Sequence, residues 1–423
     1  MNKKNSLLTL DDALTHMLAN VSLATRTEIR PLADLSGRII AKQITAGINA
    51  PPADNSAMDG YAIRYKDLAK NNSTTPIPLN PAPLTRPAPL TRVGKALAGQ
   101  PYTGTLKLGQ CIRIMTGATL PAGSDTVVMQ ENVSADGDSI TVLTPPTEKA
   151  NVRYAGEDIQ QGELMYAAGH RLGPVDTGLL ATMGLAEHEV YTPLKVAIFA
   201  NGSELRAPGE TLAPGEIYDS NRFFLRAMLE KLGCEVIDLG VIPDDLEQLR
   251  AAYIKADSLA HAVITCGGAS VGEADYTRQL LSEQGNIGFW KVAIKPGKPF
   301  MFGHLANSTF FGLPGNPMSA LVTFHKLVLP ILEKMQGKLA QPTLTLTATS
   351  TCDIPRNRSR LEFLRGTLSS TGGQLCVTPD KQQSSGALSS FARSNCFILL
   401  DAGPQALKEG HSVTVELFDA ILR

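Results

Sequence analysis

A chain of 423 residues is too long for one hydrophobic core, so two to four domains are expected. Hydrophobic residues at 43% and charged residues at 19% place it among globular proteins. Lys+Arg 39 against Asp+Glu 40 leaves a formal net charge of -1, which excludes the basic field that nucleic-acid binding needs.

The apolar run after Lys3 and Lys4 stops at Asp11 and Asp12, so neither a signal peptide nor a membrane span is expected there. Thr9 followed by Asp12 reads as a helix cap, and Ala13, Leu14, Met17 and Leu18 recur at helical spacing over 10–20. The six cysteines are scattered without a C-x-x-C pair, which argues against structural zinc and for reduced thiols in a cytoplasm.

From residue 46 to 150 the texture predicts a β-rich inserted domain. Asn55–Ala62 leads into an extended region, and Asp59 before Gly60 reads first as a turn residue, the commoner role of Asp-Gly. Residues 71–92 carry PAPLTR twice in tandem and are expected to form an exposed, Pro-rich loop. Strands follow at Cys111–Met115 and Thr126–Gln130, then a hairpin around Asp136-Gly137. Residues 1–45 plus 151–192 are expected to form an N-terminal helix and linking domain, with a helix over Val175–Met183.

After Pro193 the pattern alternates strand and helix to about residue 338, the signature of a doubly wound, mostly parallel α/β sheet. Lys195–Ala200 and Val236–Leu239 are strands, Asn221–Leu232 is a helix ending at Gly233, and Pro243-Asp244 opens another helix. Asp244 there can be a helix cap or a ligand. Glu204 has no local structural job, and it precedes a Pro/Gly-rich loop ending Tyr218-Asp219-Ser220-Asn221, which points to a ligand or a metal.

Three polar segments then follow apolar runs: TCGGASVGEADY (265–276), KPGKP (295–299) and FGLPGNPMSA (311–320). They fall at the carboxyl ends of strands, where open α/β sheets collect ligands. Gly267, Gly268 and Ser270 can turn backbone N–H groups toward an anion, unless the loop is simply a turn. Lys291, Lys295 and Lys298 add positive charge, and Asn316-Pro317 starts a helix whose N–H groups would face the same point. Glu273 and Asp275 among them suggest a phosphorylated ligand bridged by a divalent cation such as Mg²⁺. Residues 339–423 hold five short predicted strands and are expected to close into a small β-barrel, with Arg360 and Arg365 read as surface residues.

With NSAMDGYA (55–62), IRIMTGA (112–118), VVMQE (127–131), NVR..GED (151–158) and GEIYDSN (215–221) added to those segments, the chain resembles the MoeA-type molybdopterin molybdenumtransferases, or molybdenum insertases. The resemblance covers nearly the whole chain. It implies a central domain at 193–338 similar to molybdopterin-adenylating enzymes, an elongated homodimer, and delivery of substrate by such an adenylating enzyme. It also implies insertion of molybdenum from molybdate into adenylylated molybdopterin, with release of AMP in a Mg²⁺-dependent step. The family's functional positions fall on Asp59, Asp158, Lys291, Lys295, Arg365 and Ser385 for catalysis, and on Thr116, Pro314 and Pro317 for substrate. Glu204, Asp244 and Asp275 fall at its metal positions. Ser220, Gly267, Gly268, Ser270 and Lys298 join the substrate set from the residue reading. Three departures stand out: Ser203 in place of an Asp, Cys266 in place of Ser or Thr, and the PAPLTR repeat. Ser203 leaves open a divergent paralogue of altered metal specificity, such as tungstate, and a non-catalytic pterin-binding scaffold is the remaining alternative.

Overall fold

Thr9 caps the first helix, α1 (Leu10–Ala19), its hydroxyl oxygen accepting from the Asp12 N–H at 3.1 Å. The computed structural model describes residues 7–69, 88–267, 274–356, 359–403 and 405–422. Ala13 and Met17 of α1 are fully buried in a core shared with Val196, Ile264 and Leu332, so this short helix is held by distant sequence rather than by its own propensity. The chain packs as two compact units. One comprises Met1–Lys42, Ala168–Gly173 and Glu187–Arg423; the other comprises Gln43–Ala167 and Pro174–Ala186.

In the first unit the central sheet is built from β1 (Lys195–Asn201), β2 (Glu235–Ile242), β3 (Ala262–Cys266), β4 (Asn286–Lys291), β5 (Pro299–His304) and β6 (Thr309–Leu313). Their order is β2-β1-β3-β6-β5-β4, parallel through β6 and antiparallel for the last two. The alternation of side chains along β1 decides the layers. Val196, Ile198 and Ala200 enter one core with α2 (Asn221–Lys231), while Ala197 and Phe199 enter the other with α3 (Leu246–Leu259). Helices α4 (Ala274–Gln284), α5 (Pro317–Thr323) and α6 (Leu329–Met335) also belong to this region.

The expected cap of α3 is shifted by one residue. Asp245, not Asp244, takes the N-cap position and accepts from the Gln248 N–H at 2.9 Å. Asp244 instead faces the β1 loop: its Oδ2 accepts from the Ser203 N–H at 3.0 Å, and its own N–H donates to Ser203 Oγ at 3.3 Å.

The C-terminal barrel belongs to the same unit. Strands β7 (Leu346–Ser350), β8 (Leu361–Thr371), β9 (Gln374–Pro379), β10 (Cys396–Leu400) and β11 (Ser412–Leu417) pair in the closed order β8-β9-β7-β11-β10-β8. Ala348, Val377, Ile398 and Val415 fill it. The short strand Ile294–Lys295 of the KPGKP loop pairs in parallel with the start of β8, so the loop is hydrogen-bonded to the barrel. Arg365 on β8 is fully buried, which overturns its reading as a surface arginine.

The second unit carries a six-stranded sheet in the order Thr126–Met129, Gly60–Ile63, Gln110–Ile114, Leu90–Ala96, Ser139–Val142, Val133–Asp136. The hairpin turn at Asp136-Gly137 is as expected, with Gly137 at φ 59°. The tail of the predicted Pro-rich loop is not a loop. Leu90 starts a strand and is buried with Tyr61, Cys111 and Ile140, because the second PAPLTR copy runs on into Val93–Ala96 beside Gln110–Ile114. The rest of the loop reading, residues 71–87, lies outside the described residues.

Candidate active site

The sheet order reverses direction at β1: one crossover leads to β2 on one side and the next to β3 on the other. The crevice between the carboxyl ends of β1 and β3 is where such sheets bind ligands. A cavity of about 390 Å³ opens there. Asn201 and Gly267 mark the two strand ends, and Glu204, Ser220, Pro314 and Pro317 join them in its wall. Five of the residues expected to hold substrate or metal therefore converge on one cavity. Asp219 and Asn221, which the sequence reading did not single out, line it as well.

Local geometry explains the glycines. A Cβ on Gly267, whose φ is +95°, would lie 2.4 Å from the Asn201 carbonyl oxygen, so only glycine lets the two strand ends meet. Gly202, at φ +149°, lies under Glu204: a Cβ there would sit 2.6 Å from Oε2. Glu204 thus folds back over its own loop, next to Ser203 and its partner Asp244.

Two of the described amides expected to face an anion are engaged within the protein. The Gly267 N–H donates to the Leu313 carbonyl at 3.3 Å, and Met318 N–H, in the first turn of α5, donates to the Ser385 carbonyl at 3.0 Å. The second contact puts Ser385 of the barrel against the Asn316-Pro317 end of the cavity wall. Arg365 acts behind it. Its Nη2 donates to the carbonyls of Gln382 (2.8 Å) and Ser384 (3.1 Å), and its Nε to Ser390 Oγ (3.0 Å), fixing the loop that carries Ser385.

The three lysines are arranged differently from the anion cluster expected. None of them lines the cavity among the described residues. Lys295 Nζ lies 2.6 Å from the buried carboxylate of Glu362 on β8. Lys291 and Lys298 are exposed, Lys298 directly before the cavity residue Pro299. Gly268 and Ser270 lie outside the described residues, as does the side chain of Asp275 at the start of α4. Among the described residues no three His, Cys, Asp or Glu side chains form a metal-binding group. Cys266, at the end of β3, lies in the cavity wall, and burial pushes its thiol well above the ordinary value.

Asp59, Thr116 and Asp158 belong to the second unit. Asp59 is no mere turn residue: its Oδ1 accepts from both the N–H and the hydroxyl of Thr116, each at 2.8 Å. Those bonds, the backbone one first, hold its carboxyl below the usual range. Gly60 is required by packing, since a Cβ would lie 1.9 Å from the Val128 carbonyl oxygen. Asp158 sits where its loop zips onto the Asn49–Ser56 segment, its N–H donating to Ala50 O at 3.1 Å. A carboxyl whose folded pKa is lowered stabilises the fold above its ordinary pKa and loses that effect as pH falls through the folded value. Asp59→Ala is therefore expected to lower the melting temperature at pH 7, with the difference from the parent closing below about pH 4. Melting curves across pH check this.

The comparisons with known proteins fall on this architecture segment by segment. A family model described as the MoeA N-terminal region (domain I and II) matches residues 8–184. A probable molybdopterin binding domain matches 197–334, the stretch that builds the cavity, and the MoeA C-terminal region (domain IV) matches 347–418. A molybdopterin molybdenumtransferase of Haemophilus influenzae is 43% identical over 98% of this chain and 100% of its own length. The chain belongs to the molybdopterin molybdenumtransferase family. Its Bacillus subtilis relative of that name is 31% identical over 99% of this chain and 95% of its own length. Among solved structures, the molybdopterin biosynthesis MoeA protein from Pyrococcus horikoshii OT3 superposes with a TM-score of 0.80 at 29% identity, covering 98% of this chain and 100% of that one. Membership makes the chain a transferase of molybdenum cofactor biosynthesis, with a mixed α/β multidomain fold ending in a closed barrel. No helix among the described residues is long and apolar enough to cross a membrane.

Proposed function

We propose that this family member inserts molybdenum from molybdate into adenylylated molybdopterin and releases AMP, with Mg²⁺ assisting. The observation that carries the proposal is the convergence of Glu204, Ser220, Gly267, Pro314 and Pro317 on one cavity at the sheet's switch point. Ser385 abuts the same wall through Met318, and Lys295 is held at the barrel seam by Glu362. In this reading Lys291, Lys295 and Lys298 neutralise the oxyanions of molybdate and phosphate. Asp158 and the Asp59–Thr116 pair serve catalysis and binding from the second unit, and a homodimer completes the arrangement. A molybdopterin-adenylating enzyme is the proposed source of substrate, in the cytoplasm.

Glu204, Asp244 and Asp275 are the proposed Mg²⁺ ligands. The donor set suits a hard cation: Asp244 has one oxygen engaged by a backbone N–H and, as a carboxylate, keeps acceptor capacity beyond it. Bound Mg²⁺ would supply charge neutralisation at the pyrophosphate. Ser203 is tied to Asp244 through its N–H and its hydroxyl oxygen, and comparing molybdate with tungstate in the AMP-release assay separates the insertase from the tungstate paralogue.

Two adjacent substitutions separate metal binding from capping. Asp244→Asn is expected to keep parental stability, since the amide oxygen can still accept from Ser203, yet to bind Mg²⁺ at least about tenfold more weakly by titration calorimetry. Asp245→Ala is expected to lose about 1 kcal/mol of stability and keep its Mg²⁺ affinity. AMP release on adding molybdate to protein loaded with adenylylated molybdopterin tests the reaction itself. An Asp244→Asn protein with unchanged Mg²⁺ binding removes Asp244 from the site.

A further inference from the structure

The helical rod that begins at the cavity also carries the barrel. Helix α5 runs through one wide turn, Phe324–Val328, into α6. The sequence explains the wide turn. Pro330 has no N–H to offer the Lys326 carbonyl and its ring crowds that carbonyl, so the turn opens and the Leu329 N–H donates back to the Phe324 carbonyl. This turn sets His325 and Lys326 against the barrel. The Lys326 side chain is 10% exposed, and its Nζ donates to both carboxylate oxygens of Glu416 on β11, itself 6% exposed. The same ammonium lies 5.4 Å from the ring centre of Phe363 on β8 and 5.3 Å from that of Phe397 on β10. Just past β11, Asp419 Oδ2 meets His325 Nε2 at 2.9 Å. One turn of the rod thus reaches three strands of the barrel.

Stability alone gives no reason for these charges. A buried ammonium and carboxylate lose hydration that their attraction repays only in part, and apolar side chains of similar volume commonly hold such a seam as well or better. The surroundings are already apolar: Phe324, Leu327 and Val328 of the rod share one core with Phe363, Phe397 and Phe418 of the barrel region. Apolar contact is non-directional and tolerates sliding. An ion pair that uses both carboxylate oxygens beneath two rings is satisfied in one register only. That register matters because the barrel delivers Ser385 to the cavity wall, where its carbonyl accepts the Met318 N–H of the same rod at 3.0 Å.

We propose that Lys326 and Glu416 are positioning residues: their buried pair fixes the register of the barrel on the α5–α6 rod and so holds the Ser385 loop against the cavity. Neither residue lines the cavity, so the pair acts through Ser385 and Met318. Its part in catalysis rests on the proposed insertase reading, whereas the register itself does not.

The test replaces the pair by apolar residues in the full-length protein, combining Lys326→Met with Glu416→Leu. Hydrogen exchange of the Met318 amide reports the barrel contact without any ligand or turnover. In the double variant it is expected to speed up at least about tenfold, while strand amides of the central sheet and barrel keep parental rates and the melting temperature does not fall. Lys326→Met alone leaves Glu416 buried without its cation and is expected to lower the melting temperature. Parental exchange at Met318 in the double variant overturns the inference. So does a uniform acceleration of all amides, which would make the pair a stabiliser of the fold and nothing more. Molybdate-dependent AMP release is expected to lose about tenfold in kcat/KM. Release at the parental rate despite faster exchange would remove the pair from the reaction. No release from the parent protein would remove the proposed reaction instead, and exchange at Met318 would still decide the register.

Discussion

Arg365→Ala is expected to cost about 3–5 kcal/mol of stability, among the largest effects of any single substitution in the barrel. The guanidinium is fully buried and serves two carbonyls and a hydroxyl on the 382–390 segment, so truncation leaves both a large cavity and orphaned acceptors. Arg365→Lys retains the charge but cannot span Gln382, Ser384 and Ser390 together, and about 2 kcal/mol is expected to be lost. The effect should travel: with the segment loosened, the Ser385 carbonyl no longer holds Met318 N–H at the head of α5. Substrate affinity is therefore expected to fall in both variants although Arg365 does not itself line the cavity. Denaturant unfolding measures the first effect and titration with substrate the second. If both variants unfold at the parental midpoint and bind substrate as the parent does, Arg365 has no positioning role.

The main α/β architecture was legible because its signals are local. Four to seven apolar residues ending in Gly or Pro, as at Lys195–Asn201 and Ala262–Cys266, leave little choice but a buried strand. The hairpin at Asp136-Gly137 and the five barrel strands are read from turns in the same way. The switch point is determined once β1, β2 and β3 are placed, and it brings Glu204 and Gly267 to one cavity.

The features that stayed hidden depend on partners distant in sequence. Asp244 and Asp245 are equally good cap residues on paper, and the tie is broken by Ser203, 41 residues away. The burial of Arg365 requires the 382–390 segment to arrive over it, and β-strand spacing reports a side chain's face but not the segment that covers that face. Lys295 reads as a free cation until Glu362 is seen to meet it across a two-residue strand pairing. The Pro-rich composition of the PAPLTR repeat hides that Leu90 is buried in a strand, which Val93–Ala96 continues. The absence of basic residues from the described cavity wall was missed for the opposite reason. Glycine loops and lysines near one another in sequence suggest an anion, but the amides of Gly267 and Met318 are consumed internally and the lysines stand outside.

Gly267→Ala is the second large effect expected, and Gly315→Ala its internal control. At Gly267 two costs combine. The φ of +95° is strained for any L-residue, and the new methyl would lie 2.4 Å from the Asn201 carbonyl oxygen and 3.1 Å from its Oδ1. Asn201 ends β1, which is hydrogen-bonded to β2 on one side and β3 on the other, so its carbonyl cannot retreat without moving the sheet. A loss of about 3 kcal/mol is expected, together with loss of ligand binding, because the displaced strand ends are the walls of the cavity. Gly315 lines the same cavity, but its methyl would meet nothing nearer than the Gly267 Cα at 3.9 Å. Its φ lies outside the left-handed region, so Gly315→Ala is expected to stay within about 0.5 kcal/mol of the parent. Equal stability of the two variants would mean that the strand ends are loose enough to part, and a cavity framed by them could not hold its ligand in one orientation. A large gap between the variants, with binding lost only at Gly267, would place the close approach of β1 and β3 at the root of recognition.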